Sequence, residues 1–219
     1  MKSGRPRTDA LIAIVPVNAL NVSKARLASA LTAEYRRSLS VAMLRDVLQA
    51  LRRVRRINRI TVVSSDRSVG RIARAMSAHF LWEGKRRGLN KGLRLALSDA
   101  TRRGASATLI LPSDLPLITP SEIVRFLRLS DGCSVALTPS KDGDGTNALL
   151  LRPPNVIGPS YGKDSFARHM AIARRKGCSP RVVKSKRISV DVDEPTDLIR
   201  LKRFTLRNET GRLLRSIEE

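Results

Sequence analysis

Three aspartates stand where they could share one task. Asp114 closes TLILPSDLP, Thr108 to Pro116, a short apolar run that reads as a buried strand delivering one carboxylate to its tip. Open α/β sheets bind ligands outside the carboxyl ends of such strands. Asp191 and Asp193 alternate in SVDVDEP, and strand residues two apart point the same way, so both can face one point. Three converging carboxylates suit Mg²⁺, which takes oxygen ligands and keeps waters and substrate phosphates in its shell. Such an ion would neutralise phosphate charge and hold two anions in line. The same residues also read more plainly, Asp114 as a strand end and Asp193 as a helix cap.

Lys24 and Arg26, with Ser23 beside them, are spaced so that both could reach the phosphates of a nucleotide; in so basic a chain they also read as ordinary surface cations. Neither GxxxxGK[ST] nor GxGxxG occurs, which disfavours a P-loop kinase and a dinucleotide dehydrogenase. Thr146 in DGDGTN, and Gly162 with Ser165 in YGKDSF, offer hydroxyls and a flexible backbone next to a helix N-terminus. That is an anion site or plain turn and capping chemistry.

The elements that must position these residues alternate. Ala10 to Pro16 is a first strand, followed by the basic loop and by an amphipathic helix after Thr32, its N-cap. Ile60 to Ser64 and His79 to Trp82 read as strands, with helices at Ser68 to Ser77 and Leu89 to Thr101. After Asp114, Thr119 caps a helix at Ser121 to Leu129, and Ser134 to Thr138 and Ala148 to Arg152 are strands around the loop Lys141 to Asn147. A helix starts at Asp164 or Ser165; Arg181 to Val183 and Ile188 to Val192 are short strands; Pro195 sits in the first turn of a last helix. Strand and helix in alternation predict a mostly parallel sheet in a three-layer α/β/α, Rossmann-like arrangement.

Composition narrows the class. The 219 residues suit one domain over 10–204, preceded by a disordered basic N-terminus, 1–9, and followed by a basic C-terminal tail or frayed helix, 205–219. The apolar stretch behind the basic start is too short for a signal peptide or a membrane span, so a cytoplasmic protein without membrane partners is expected. Cys133 and Cys178 match no CxxC spacing, and with His79 and His169 as its only histidines the chain has no histidine-rich metal site. Lys plus Arg number 42 against 19 acidic residues, a net charge of +23 that favours anionic partners. Nucleic acid is disfavoured among these, because the cations are scattered and 3% aromatic residues build no stacking platform.

Six motifs in order then become specific: PVNALNVSKARL, GLNKGL, LPSDLPL, GDGTNALLLRPP, YGKDSFARH and DVDEPTDL, from Pro16 to Leu198. Together they resemble the 2-phospho-L-lactate guanylyltransferase family of deazaflavin coenzyme F420 biosynthesis, which includes phosphoenolpyruvate-using bacterial members. A broader kinship is with molybdenum-cofactor guanylyltransferases and sugar nucleotidyltransferases. The resemblance implies a nucleotidyltransferase fold and the joining of GTP to a phosphorylated three-carbon acid, with release of pyrophosphate. By the same match, Lys24, Arg26 and Asp114 would be catalytic, and Pro16, Ser23, Lys24, Arg26, Ser65, Gly88 and Asn90 would hold the nucleotide. Thr146, Gly162 and Ser165 would hold the acid, and Asp114, Asp191 and Asp193 would hold Mg²⁺. Hand-over of the product to the downstream deazaflavin-transferring enzyme would follow. One position departs: Asn18 stands where the family commonly has Lys, and Lys24 or Lys141 would have to compensate.

A homodimer is expected on general grounds. Two other readings stand beside the guanylyltransferase: a nucleotidyltransferase with a sugar phosphate or molybdopterin as acceptor, and a basic nucleic-acid-binding protein, which would need a contiguous basic stripe.

Overall fold

Strand β1, Leu11–Pro16, is buried on both sides because its alternate residues face opposite layers. Leu11, Ala13 and Val15 belong to one apolar cluster, Ile12 and Ile14 to another. The computed structural model describes residues 10–20, 23–85 and 88–216, so the expected disorder of 1–9 lies outside the described residues. The chain continues through α1 (Ala33–Arg52), β2 (Ile57–Ser64), α2 (Arg67–Ala75), β3 (His79–Trp82), α3 (Leu89–Arg102) and β4 (Ala107–Ile110). It closes with α4 (Pro120–Leu129), β5 (Val135–Pro139), β6 (Thr146–Leu151), α5 (Ser165–Arg175), β7 (Arg181–Val182), α6 (Pro195–Leu201) and α7 (Glu209–Arg215).

The sheet order is β3-β2-β1-β4-β6-β5-β7. Its pairs are parallel except those made by β6, which runs against both β4 and β5. The cluster on one face takes residues from α1, α2 and α4, and the cluster on the other takes residues from α3 and α5, so the three-layer α/β/α expectation holds. No helix among the described residues is long and apolar enough to cross a membrane. Side-chain caps start the helices as the sequence suggests: Thr32 accepts from the Tyr35 N–H and Thr119 from that of Glu122, each at 3.3 Å.

Four features differ from the sequence reading. Strand β4 stops at Ile110, four residues short of Asp114: Leu111 still donates to Ile14 O at 3.0 Å, but Pro112 has no N–H to continue the ladder. Strands β5 and β6, consecutive in the sequence reading too, are joined by a six-residue turn, 140–145, that sets β6 antiparallel to both neighbours where alternating strand and helix predict parallel pairs. No strand forms at 188–192. Ser185 Oγ accepts from Ile188 N at 3.1 Å, and Asn147 Nδ2 donates to Ile188 O at 3.0 Å, so backbone groups that a ladder would need are already used. The segment expected as a basic tail or frayed helix forms α7, and this helix is docked rather than frayed. Asp46 of α1, itself buried, accepts from the backbone N–H of Glu209 and Thr210, each at 2.9 Å, and from the Thr210 hydroxyl at 2.6 Å.

Candidate active site

The loop after β1 is tied down before it delivers its cation. Leu20 N–H donates to Asp66 Oδ2 at 3.0 Å, and Ser23 Oγ donates to Leu20 O at 3.0 Å while bonding Ser40 Oγ of α1 at 2.8 Å. Lys24 then adopts a left-handed backbone, φ 56°, costly for a residue with a Cβ and therefore held by its surroundings. A 3₁₀ turn, Ala25–Ser29, follows, with Leu27 fully buried beneath it. The side chain of Lys24 turns inward, 9% exposed, and its ammonium donates to Asp114 Oδ2 at 2.5 Å and Asp193 Oδ1 at 2.9 Å. Burial alone would lower its pKa, but the charges and hydrogen bonds of the two aspartates outweigh burial and hold it above the ordinary lysine range. The ammonium is a fixed charge at any physiological pH.

Asp191 joins the pair from the same segment. Val192 between the two aspartates is fully buried and its N–H reaches Asp114 O at 3.3 Å, which ties the segment to the loop beyond β4. Burial raises the Asp191 pKa, and the charges of Asp114 and then Asp193 push the same way, against a hydrogen bond from Asn147 Nδ2 at 3.2 Å. The backbone of Asp193 is set by Asp197, which accepts from Asp193 N at 2.9 Å and Glu194 N at 3.0 Å and is ion-paired to Lys141. So the alternation seen in the sequence does bring three carboxylates into one electrostatic neighbourhood, without the strand expected to carry it.

Hard oxygen donors, mutual repulsion that a cation would relieve, and a buried Asp114 Oδ1 with no hydrogen-bond partner among the described residues all fit a divalent metal. Among the described residues no three carboxylate, imidazole or thiolate side chains yet stand in a metal-holding group, and the Lys24 ammonium lies between two of the candidates.

Two adjoining cavities open on this cluster. The first, of about 220 Å³, is lined by Pro16, Asn18, Ser23, Lys24, Asp114 and Asp193, with Ser40, Ser113 and Tyr161 around them. The second, of about 190 Å³, shares Pro16, Val17, Asn18 and Leu89 with it and adds Ser65 and Gly88. Gly88 has φ +85°, a conformation that a side chain rarely adopts. Pro16, Ser23, Lys24, Ser65, Gly88, Asp114 and Asp193 are thus gathered around one cleft. Asn18, the departure noted above, borders both cavities.

The other sequence candidates line neither cavity. Arg26 is turned outward, its side chain 74% exposed, and faces Glu194 at 3.6 Å. Asn90 lines neither cavity; it clamps the backbone of Tyr161, donating to its carbonyl at 2.9 Å and accepting from its N–H at 2.7 Å. Thr146 and Ser165 are buried, and Ser165 Oγ donates to Thr146 Oγ1 at 3.3 Å. Thr146 Oγ1 lies 3.0 Å from His169 Nδ1, and His169 Nε2 accepts from Ser160 N at 2.9 Å. A backbone N–H can only donate, so Nε2 carries no proton, and the ring is neutral with its hydrogen on Nδ1. Burial, helped by the Arg168 charge, lowers the His169 pKa to about 4. Gly162, at φ +119°, opens the turn into α5.

Sequence reasoning gave no role to Asn147, Tyr161, His169 or Asp197. Asn147 and His169 lie inside quoted motifs and Tyr161 opens one, but their partners sit on other elements. Tyr161 borders the cleft, and its phenol is buried with no hydrogen-bond partner among the described residues.

The family described as "Guanylyl transferase CofC like" matches residues 11–218. The chain is 42% identical over 188 residues to phosphoenolpyruvate guanylyltransferase of Sphaerobacter thermophilus, covering 85% of this chain and 90% of that one. It is 35% identical over 186 residues to 2-phospho-L-lactate guanylyltransferase of Methanothermobacter thermautotrophicus, covering 85% and 81%. Among solved structures, a protein described as a nucleotide-diphospho-sugar transferase of Desulfovibrio desulfuricans G20 aligns with TM-score 0.79 at 18% identity, covering 96% of each chain. A nucleotidyl transferase of Methanothermobacter aligns with TM-score 0.66 at 15% identity, covering 95% and 99%. At such identities these two show a shared fold.

Proposed function

The chain belongs to the CofC-like guanylyl transferase family and is a nucleotidyltransferase; we propose that it joins the guanylyl group of GTP to phosphoenolpyruvate or 2-phospho-L-lactate and releases pyrophosphate. The observation that carries this reading is the buried Lys24 ammonium, held between Asp114 and Asp193 at the mouth of a cleft beyond β1 and β4. A permanently charged cation beside carboxylates is what a site for a phosphate chain and a metal requires. Of the two acids, phosphoenolpyruvate comes first, because that name belongs to the relative of higher identity, 42% against 35%.

In the reaction a phosphate oxygen of the acid attacks the α-phosphorus of GTP. A new P–O bond forms, the bond from that phosphorus to the oxygen bridging to the β-phosphate breaks, and its electron pair leaves on pyrophosphate. The attacking oxygen is already anionic, so the residues need to position and stabilise rather than remove a proton. Lys24 orients the triphosphate and balances its charge. Ser23 supports the same loop, and the adjoining cavity at Ser65 and Gly88 takes the nucleoside. Asp114, Asp191 and Asp193 would hold Mg²⁺, which when bound supplies charge neutralisation at the reacting phosphates. The turn at Gly162 and the start of α5 would hold the acid, with Thr146 and Ser165 behind it. The product fits deazaflavin coenzyme F420 assembly in the cytoplasm, with hand-over to the enzyme that attaches it to the deazaflavin and with a homodimer as the working assembly.

The test is pyrophosphate release from purified protein with GTP and Mg²⁺, offered phosphoenolpyruvate, 2-phospho-L-lactate and 3-phosphoglycerate in turn, with ATP and CTP as controls. Release with GTP and phosphoenolpyruvate is expected. Silence with all three acids, in protein shown to be folded, would refute the reading.

A further inference from the structure

A cavity of about 610 Å³ opens between α4, the end of β5 and the segment 184–189, and it shares no lining residue with the catalytic cleft. Five cations border it: Arg125 on α4, Lys141 in the β5–β6 turn, and Lys184, Lys186 and Arg187 on the segment after β7. A single carboxylate, Glu122, faces them, and Ser185 Oγ already donates to it at 2.5 Å. Lys184, Lys186 and Arg187 are exposed and make no ion pair among the described residues. They are also mounted firmly. Between them Ser185 is buried and its hydroxyl fixes the turn through Ile188 N, while Arg125 Nη1 donates to Lys184 O at 3.1 Å.

Like charges gathered round one concavity repel, and in a chain of net charge +23 no general excess of acid relieves them. An anion does. The lining contains no aromatic ring on which a base could stack, so the sugar and base of a nucleotide find no recognition there. Arg187 also borders an adjoining cavity that carries Arg53 and Arg207, which extends the positive surface in one direction. We propose that this cavity binds an oligophosphate, a short linear chain of phosphoryl groups, at a site separate from the catalytic cleft.

The site has a mechanical link to the chemistry. Lys141 ion-pairs Asp197, and Asp197 holds the backbone N–H of Asp193 and Glu194. An anion that draws Lys141 away from Asp197 loosens the strut under Asp193, one of the two carboxylates that grip Lys24. This second step rests on the guanylyl-transfer reading; the binding step does not.

The test is a calorimetric titration of the full chain with inorganic tripolyphosphate in EDTA, which withholds the divalent ion that would help draw a phosphate chain into the catalytic cleft. One site is expected, and Lys184→Glu with Lys186→Glu should weaken it by about tenfold or more, since charge-assisted contacts are lost and repulsion is added. Arg71→Glu with Arg175→Glu carries the same change in net charge on exposed helix positions elsewhere and should weaken it by less than about threefold, through the general field alone. Equal weakening in both double variants, or no binding by the wild type, overturns the proposal. So does tight binding of an RNA oligonucleotide that is lost in the first variant while tripolyphosphate does not bind, which would make the groove a nucleic-acid surface. With binding established, tripolyphosphate at saturating GTP should change kcat in the wild type and leave kcat of the Lys184→Glu, Lys186→Glu variant unchanged; an identical response in both removes the link through Lys141.

Discussion

Lys24 and Asp193 are 169 positions apart in the chain, and the ammonium of one meets the carboxylate of the other at 2.9 Å. Asp114, 90 positions from Lys24, completes the contact at 2.5 Å. No local segment contains this site, and its members can be tested one at a time.

Lys24→Ala leaves two aspartates facing each other without their cation. Removing one partner of a buried ion pair costs about 3–5 kcal/mol, and because Asp193 is 47% exposed and partly screened, a loss of about 1–3 kcal/mol is expected here. Mg²⁺ should then raise the melting temperature of the variant more than that of the wild type, because the ion takes up the charge that the ammonium balanced. Equal shifts in the two proteins would count against the aspartates as metal ligands.

Asp114→Asn changes charge with little change of volume. Turnover should fall by about 10²–10³-fold or more, the scale for losing one electrostatic contact to a reacting group, while circular dichroism stays close to wild type and melting falls less than in Lys24→Ala, because Asp193 still holds the ammonium. Normal turnover would remove Asp114 from the reaction.

Ser165→Ala breaks the hydroxyl chain from Ser165 to Thr146 and His169. KM for the acid should rise by about three- to tenfold, the worth of one hydrogen bond, with KM for GTP little changed. A KM for the acid equal to that of wild type would limit Ser165 to a packing role.

His169 makes the stability of the fold depend on pH. Its native pKa, about 4, lies below the ordinary value of 6.5, so between these values the unfolded chain binds more protons than the native one. Stability from this group is therefore complete above pH 6.5, declines as pH falls and is gone below pH 4. At about 1.4 kcal/mol per pKa unit the loss amounts to roughly 3 kcal/mol. Urea midpoints at pH 7.5 and pH 4.5 should therefore differ more in the wild type than in His169→Gln, and equal differences would exclude this histidine as the source.

Asp46→Ala should free the last helix. Three hydrogen bonds at 2.6–2.9 Å are lost, two of them from backbone N–H groups, for about 2–4 kcal/mol at a charge-assisted 1.5 kcal/mol or so per bond less relaxation. Amide exchange in residues 209–215 should accelerate well beyond that in β1. Uniform acceleration across the chain would mean that α7 does not open on its own.

Much of this arrangement was legible in the amino-acid order. β1, β3 and α1 announced themselves through apolar runs and a capping threonine, and the carboxylates were visible because acidic residues beside apolar strands are conspicuous. What was hidden depends on partners far away in sequence. The alternation of Ile188, Val190 and Val192 has the period of a strand, but Ser185 and Asn147 capture the backbone that pairing would need, and no pattern within the segment reveals that. Asn90 reads as a nucleotide contact from its motif, and no pattern near it reveals that it clamps the backbone of Tyr161, 71 positions on. Lys24 reads as a phosphate ligand, and its own two carboxylates stay hidden, because a left-handed lysine has no sequence signature. The docking of α7 escaped for a related reason: its anchor is a single aspartate on a helix 164 residues earlier.

A third apolar cluster joins Leu27, Leu39 and Met43 to Leu117, Val192, Leu201 and Leu206, with Leu213 and Leu214 packed on its edge. It lies under the turn that presents Lys24, and it joins residues 27–43 to residues 192–214. Every strand of the sheet precedes residue 190. A chain cut at that point therefore keeps the strands of the sheet but loses Asp191, Asp193 and the later half of the floor beneath Lys24.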